Sequence, residues 1–178
     1  MSSFAKVYGQ IRHSLLIGGA SNHLRPRSLA RVIAAMKLTS RSSFLDLGSS
    51  LGLPCILAAL VFDLPKDRCR GIERDPSLVT SAKEIASNAG LNISYICQSI
   101  ETLKPYQLKG VTHIYSFDAV FLPQTLDKIR YLSSSCSSLV TIASAHGPKY
   151  WPGWLLMEKV NVQMSCSGQA FTIYIYSG

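Results

Sequence analysis

Carboxylates are scarce in this 178-residue sequence: 10 Asp and Glu stand against 18 Lys and Arg, for a formal net charge of +8. The shortage is uneven. Residues 1–45 carry Lys6, Arg12, Arg25, Arg27, Arg31, Lys37 and Arg41 and no acid, while the remainder balances 11 bases against 10 acids. A positive field at one end fits a polyanionic or acidic partner, or else a solvated basic face. Long apolar runs are also missing. The longest, 51–62, has 12 residues and contains Gly52 and Pro54. A membrane span needs roughly 20, so the run reads as a buried helix of a soluble protein with no membrane partner. Five cysteines (55, 69, 97, 136 and 166) form no Cys-x-x-Cys pair. That excludes the usual disulfide framework and zinc spacing and fits a reducing compartment. Histidines 13, 23, 113 and 146 show no ligand spacing, so no metal is expected. Repeats, low-complexity tracts and long linkers are absent. Residues 1–178 therefore read as one domain, with a basic N-terminal segment at 1–25 and a core at 26–178. With 47% hydrophobic and 16% charged residues, a chain of this length can bury a real core.

What is present is an alternation of short β-like runs and helical ones. Leu29, Val32, Ile33 and Met36 form one apolar stripe of a helix over 26–38, with Pro26 in its first turn. Arg27 and Arg31 share a face beside it. Strands are expected at 43–47, 69–73, 92–97, 111–117 and 138–143, and helices at 54–63, 76–88 and 122–131, the second of these ended by Gly90. Two final β runs, 155–164 and 170–176, form a closing hairpin. Such an order implies an α/β fold, with a mostly parallel sheet covered on both faces and an antiparallel edge. The acid-free N-terminus also resembles a mitochondrial transit peptide, although the helix at 26–38 reads as part of the fold.

The first strand runs into a loop of small residues, Asp46-Leu47-Gly48-Ser49-Ser50-Leu51-Gly52, and then a helix opened by Pro54. Glycines there let the backbone turn sharply and approach a ligand, and the helix start offers free N–H groups. A dinucleotide fingerprint would need glycines at 48, 50 and 53, where the chain has Gly, Ser and Leu. The second strand ends in Glu73-Arg74-Asp75, with Glu73 27 residues beyond Asp46.

Asp-x-Gly-x-Ser-x-Gly resembles motif I of the class I S-adenosylmethionine-dependent methyltransferases, Asp/Glu-x-Gly-x-Gly-x-Gly. The resemblance implies S-adenosylmethionine as cofactor, held by Asp46, Gly48, Ser49, Ser50, Gly52, Glu73 and Arg74. Glu73 would take the ribose hydroxyls, a bond a carboxylate makes well. Ser99 and Ile100, after the third strand, would meet the adenine. Ser116 and Phe117, at the motif IV position, would line the cofactor near its methyl group. It implies a Rossmann-like seven-stranded sheet in the order 3-2-1-4-5-7-6, with the last strand antiparallel. Asp118 follows, either at the methyl group or as the N-cap of the next helix.

Three further segments are similar to the disruptor-of-telomeric-silencing family, the non-SET histone lysine methyltransferases: Tyr8-Gly9-Gln10, the run 114–121, and the run 164–176. This resemblance implies lysine N-methylation, a nucleosome or histone partner, and a nuclear location. Tyr8, Ser116, Asp118 and Tyr174 become the catalytic candidates, and Arg25, Arg27, Arg31, Gly168 and Tyr174 the substrate-binding ones. Tyr8, Phe117, Phe121 and Tyr174 are candidate walls of a lysine channel. Gln10, Ser50, Ser116 and Cys166 stand where that family has Glu, Gly, Asn and Trp. Two other readings stay open. One is an RNA methyltransferase, with a mitochondrial ribosomal substrate if the N-terminus is a leader, and with Arg25, Arg27, Arg31 and Arg41 on phosphates. The other is a noncatalytic methyltransferase-like scaffold.

Overall fold

The structure is a computed structural model that describes residues 23–165 and 167–178. Its elements are α1 (Pro26–Ala35), β1 (Phe44–Leu47), α2 (Leu53–Phe62), β2 (Cys69–Glu73), α3 (Pro76–Asn88), β3 (Ser94–Cys97), β4 (His113–Ser116), α4 (Pro123–Ser134), β5 (Thr141–Ser144), β6 (Leu155–Gln163) and β7 (Ala170–Ser177). Most bounds fall within three residues of those expected. Helix α1 stops short of 38 because Lys37 turns left-handed, with φ 54°. Gly90 ends α3 as anticipated: at φ 72° it lets the Leu91 N–H donate back to the Ala86 carbonyl (2.9 Å).

One seven-stranded sheet runs in the order β3-β2-β1-β4-β5-β7-β6. β1 pairs in parallel with β2 and β4, β2 with β3, and β4 with β5. β7 is antiparallel to both β5 and β6, with a bulge between Leu156 and Glu158. The order matches the expectation, hairpin included.

Strand residues alternate between two cores, as a period of two requires. Phe44 faces α1, α2 and α3 together with Tyr115, Ala143, Ile173 and Ile175. Leu45 and Leu47 face α4 and the short turns with Ile72, Ile114, Ile142 and Tyr176. Asp46 belongs to the Phe44 face, which explains why a carboxylate is 1% exposed. β1 is flanked by β2 on one side and β4 on the other, so the chain reverses direction across the sheet at the carboxyl end of β1. That reversal opens a crevice, the usual ligand site of an open α/β sheet.

Helix α1 lies along β6 and is bound to it at several points. Leu24 bridges Met164, the Arg25 N–H donates to the Gln163 carbonyl (2.8 Å), and the Gln163 N–H donates to Ser28 Oγ (3.1 Å). Among the described residues, no helix is long and apolar enough to cross a membrane.

Candidate functional site

Between β1 and α2 the chain places three residues in the left-handed region: Gly48 (φ 79°), Ser50 (φ 47°) and Gly52 (φ 73°). Serine at the middle position, where the motif I pattern has glycine, carries a cost of roughly 1–2 kcal/mol. The loop is pinned from β2 and β3. The Gly48 and Ser49 N–H groups both donate to the Ile72 carbonyl (2.9 Å each), and the Ser50 N–H donates to Glu73 Oε2 (2.9 Å). The Tyr95 hydroxyl donates to the Gly52 carbonyl (3.0 Å).

Glu73 stands at the end of β2 as expected. Besides Ser50, its carboxylate accepts from the N–H groups of Arg74 (2.8 Å) and Asp75 (3.0 Å), both at Oε1. A carboxylate has about four acceptor sites, so one remains on Oε2, enough for one ribose hydroxyl without rearrangement. Glu73 does not cap α3. Asp75 does, accepting from Ser77 N–H (2.8 Å), and its hydrogen bonds to Ser77 hold its carboxyl below the usual range.

Two cavities flank the loop. One, of about 280 Å³, is lined by Glu73, Arg74, Ser99, Ile100 and Glu101. The other, of about 200 Å³, is lined by Asp46, Ser49, Ser50, Tyr115 and Phe117. Both are also lined by Gly48, Val120 and Phe121. Each is below the roughly 300–1,000 Å³ of a usual ligand pocket, and the two together fall within it. The Phe121 ring divides them: a Cβ on Gly48 would come within 2.6 Å of its Cζ. Asp46 and Ser49 both line the smaller cavity, and among the described residues Asp46 Oδ2 and Ser49 Oγ are buried without a hydrogen-bond partner, the latter packed over Gly71. Burial, with the Glu73 carboxylate as a lesser cause, pushes the Asp46 carboxyl well above its ordinary range. An orphaned carboxylate oxygen beside aromatic walls suits an ammonium or sulfonium group.

No protein-family model matches the chain, and no curated protein sequence does. Solved structures do. An RNA methyltransferase from Salinibacter ruber in complex with S-adenosyl-L-homocysteine is similar with a TM-score of 0.65 at 20% identity, over 85% of this chain and 90% of that one. TrmN from Thermus thermophilus gives 0.66 at 16%, over 84% of this chain and 47% of that one. A precorrin-6y C5,15-methyltransferase from Geobacter metallireducens GS-15 gives 0.64 at 11%, over 85% of this chain and 88% of that one. The chain has the class I methyltransferase fold.

In that fold the residues present fit S-adenosylmethionine. The glycine loop, Glu73 and the orphaned atoms of Asp46 and Ser49 meet at the carboxyl ends of β1 and β2. The other expected contacts divide: Ser99, Ile100 and Phe117 line the cavities, and Ser116, Asp118 and Tyr174 do not. Ser99 lines the larger cavity, but its hydroxyl donates to Glu101, which also receives the Thr125 hydroxyl. These two bonds, Ser99 first, hold the Glu101 carboxyl below its usual range. Ile100 lines the same cavity while packing into the core. Ser116 lies outside both cavities; its hydroxyl is 1% exposed and donates to the Leu47 carbonyl (3.2 Å) across the strand pair. Phe117 does line the smaller cavity and meets Phe171 edge-to-face, with centroids 5.2 Å apart.

Asp118 neither caps α4, whose N-cap is Leu122, nor lines a cavity. Its carboxylate turns towards β5, accepting from the Ser144 hydroxyl (2.7 Å) and the Ala145 N–H (2.7 Å). Burial raises its pKa, against those bonds. Tyr174 is also away from the cavities, stacked on Tyr176 at 6.4 Å with Lys159 Nζ 5.9 Å from its ring. β7 pairs it with Ser144, on the α4 side of the sheet. Arg25 and Gly168 do meet, since a Cβ on Gly168 would lie 3.8 Å from Arg25 Nη2. Arg25 and Arg31 are partly committed to β6, donating to Gln163 Oε1 (3.0 Å) and the Asn161 carbonyl (3.3 Å). Arg27 and Arg41 are exposed. Tyr8, Gln10 and Cys166 lie outside the described residues. Among the described residues no three metal-binding side chains cluster.

Sequence reasoning missed Glu101 and Tyr95. Glu101 stands two residues beyond Ser99, and the turn Ile100–Thr102 brings it to the cavity. Tyr95 looked like an ordinary strand residue.

Proposed function

We propose that this chain transfers the methyl group of S-adenosylmethionine to an RNA acceptor. The observation that carries the cofactor reading is the pair of orphaned buried atoms, Asp46 Oδ2 and Ser49 Oγ, beside a loop whose left-handed glycines allow close approach. The cofactor supplies an already activated methyl carbon on sulfur, so the chain's task is to bind, orient and exclude water. Asp46 would hold the ammonium of the methionine portion, and the open lone pair of Glu73 a ribose hydroxyl. Glu101 offers an acceptor for the adenine amino group, with Ile100 against the ring. Phe117 and Phe121 keep the transfer point dry. With the cofactor held there, an acceptor nucleophile would take the methyl carbon as the sulfur departs with its bonding pair, and the acceptor's proton would leave along the open side of the site.

For the acceptor, the likeness to an RNA methyltransferase and the acid-free segment 1–45 support RNA. The lysine reading draws on Tyr174 and Asp118, both outside the two cavities, and has less support. The test has two arms. Calorimetry with S-adenosylhomocysteine should show binding that Glu73→Gln weakens by roughly 10–100-fold, since charge-assisted hydrogen bonds contribute about 1.5–3 kcal/mol. Labelled methyl donor should then mark bulk RNA rather than nucleosomes. No binding of the cofactor product removes the enzyme reading, and label on histone restores the lysine one.

A further inference from the structure

We propose that the groove between α4 and the β5–β6 connection is a stacking site for single-stranded nucleic acid. It has a volume of about 280 Å³ and lies outside both cavities described above. Its walls are aromatic: Tyr131 on α4, and Tyr150, Trp151 and Trp154 on the connection. Trp151 is the buried floor, 4% exposed, with Trp154 edge-on at 6.4 Å and Tyr176 at 6.0 Å. Tyr131 and Tyr150 are different. They are 54% and 41% exposed on opposite walls, so each offers ring surface to a ligand. Their ring positions are braced, Tyr150 against the His146 ring at 4.4 Å and Tyr131 by Lys128 Nζ at 5.3 Å from its centroid.

Charge selects the occupant. Lys128 lies over the Tyr131 ring, Arg130 lines the groove and Lys149 adjoins Tyr150 in the chain, against a single lining acid, Asp127, which pairs with Arg130. The surplus is positive, which favours a polyanion over a neutral proline-rich peptide, the other common occupant of aromatic grooves. A duplex hides its base faces, so the matching ligand is a single strand whose bases stack on Tyr131 and Tyr150 while phosphates meet Lys149 and Arg130. A chain of contacts links the groove to the site. The His146 ring, packed at a tilt on Tyr150, is hydrogen-bonded through Nε2 to the Asp118 carbonyl (3.1 Å), which also accepts the Phe121 N–H (3.1 Å). A strand held here therefore leads towards Phe121. The inference deepens the RNA reading and rests on it for its purpose, but nucleic-acid binding is measurable without cofactor.

The test is fluorescence anisotropy of the full chain with a labelled oligouridylate of about 12 nucleotides at low salt, a length within single-strand site sizes. Each stacked base contributes about 1–3 kcal/mol, so Tyr131→Ala and Tyr150→Ala should each weaken binding at least fivefold. Lys149→Gln should flatten the log–log salt dependence by about 0.7. Both tyrosines are exposed, and unchanged melting and S-adenosylhomocysteine binding in the variants would show that the fold and the cofactor site are intact. Equal affinity of parent and double variant, or a preference for a duplex of the same length, overturns the proposal. Oligonucleotide binding that depends on both tyrosines in a chain that fails to bind S-adenosylhomocysteine upholds the groove while removing the methyltransferase reading.

Discussion

Gly52 is the position where one methyl group does the most damage. At φ 73° an L-residue carries a penalty of about 1–2 kcal/mol, and its Cβ would lie 2.2 Å from Tyr95 Oη, 2.4 Å from Cζ and 2.5 Å from Cε1. Tyr95 has nowhere to go. It is 4% exposed, and the same ring edge is held against Gly71, with Cδ1 2.6 Å from where a Cβ there would be. Overpacking of a closed site costs typically about 1–3 kcal/mol, so Gly52→Ala should destabilise by about 2–5 kcal/mol in all. For a chain of this size that is a fall in melting temperature of roughly 4–20 °C. Tyr95→Phe is the informative partner. It removes one hydroxyl, but the Gly52 carbonyl still accepts the Ile56 N–H (3.0 Å), so its cost should stay near about 1 kcal/mol. Thermal melts followed by circular dichroism, with S-adenosylhomocysteine calorimetry on the same samples, read both effects. A Gly52→Ala variant that melts within about 2 °C of the parent would refute the close packing of Tyr95 under the loop.

Asp46→Asn should leave stability at neutral pH unchanged or higher while lowering S-adenosylhomocysteine affinity at least tenfold, about 1.4 kcal/mol. Because the folded Asp46 carboxyl is raised, its stabilising contribution is complete below the ordinary Asp range and lost as pH rises, so the gain in the variant should grow with pH. His113 behaves oppositely. Burial lowers its pKa from 6.5 to about 4, so the unfolded chain binds the extra proton in that window and stability falls as pH drops through it. The loss is up to about 3 kcal/mol, and urea midpoints of parent and His113→Gln should diverge below pH 6.5; parallel curves would count against it. Arg27→Ala should leave the melting temperature unchanged and reduce the salt slope of RNA binding, whereas Arg31→Ala, which loses the bond to Asn161, should lower the melting temperature slightly. The reverse pattern would assign phosphate contact to Arg31.

The α/β class and the closing hairpin were legible because the central strands read as short apolar runs, most of them followed by a helix and the last by a second β run, whereas the strand order came with the motif I resemblance. Strand ends were less so: β5 begins at Thr141 rather than 138, since Ser138 bonds the Val111 carbonyl (2.9 Å) in a turn. Glu73 was legible because its role depends on where β2 stops. Asp118 and Tyr174 were not, since their direction depends on Ser144 and Tyr176, partners that only the folded sheet brings near. Glu101 was hidden for a similar reason: a three-residue turn, not its place in the sequence, carries it into the cavity.

The Asp118 bonds to Ser144 and Ala145 have a mechanical consequence. They rivet the end of β4 to the end of β5, so any movement of the segment beyond must pivot at 118 and again at the start of α4, Pro123. Four residues lie between those anchors, and two of them, Val120 and Leu122, are 79% and 58% exposed. The five Cα-to-Cα steps from 118 to 123 reach at most roughly 18 Å when fully drawn out. Phe121 is thus on a short leash: held between two anchors, its ring stays at the wall that the two cavities share.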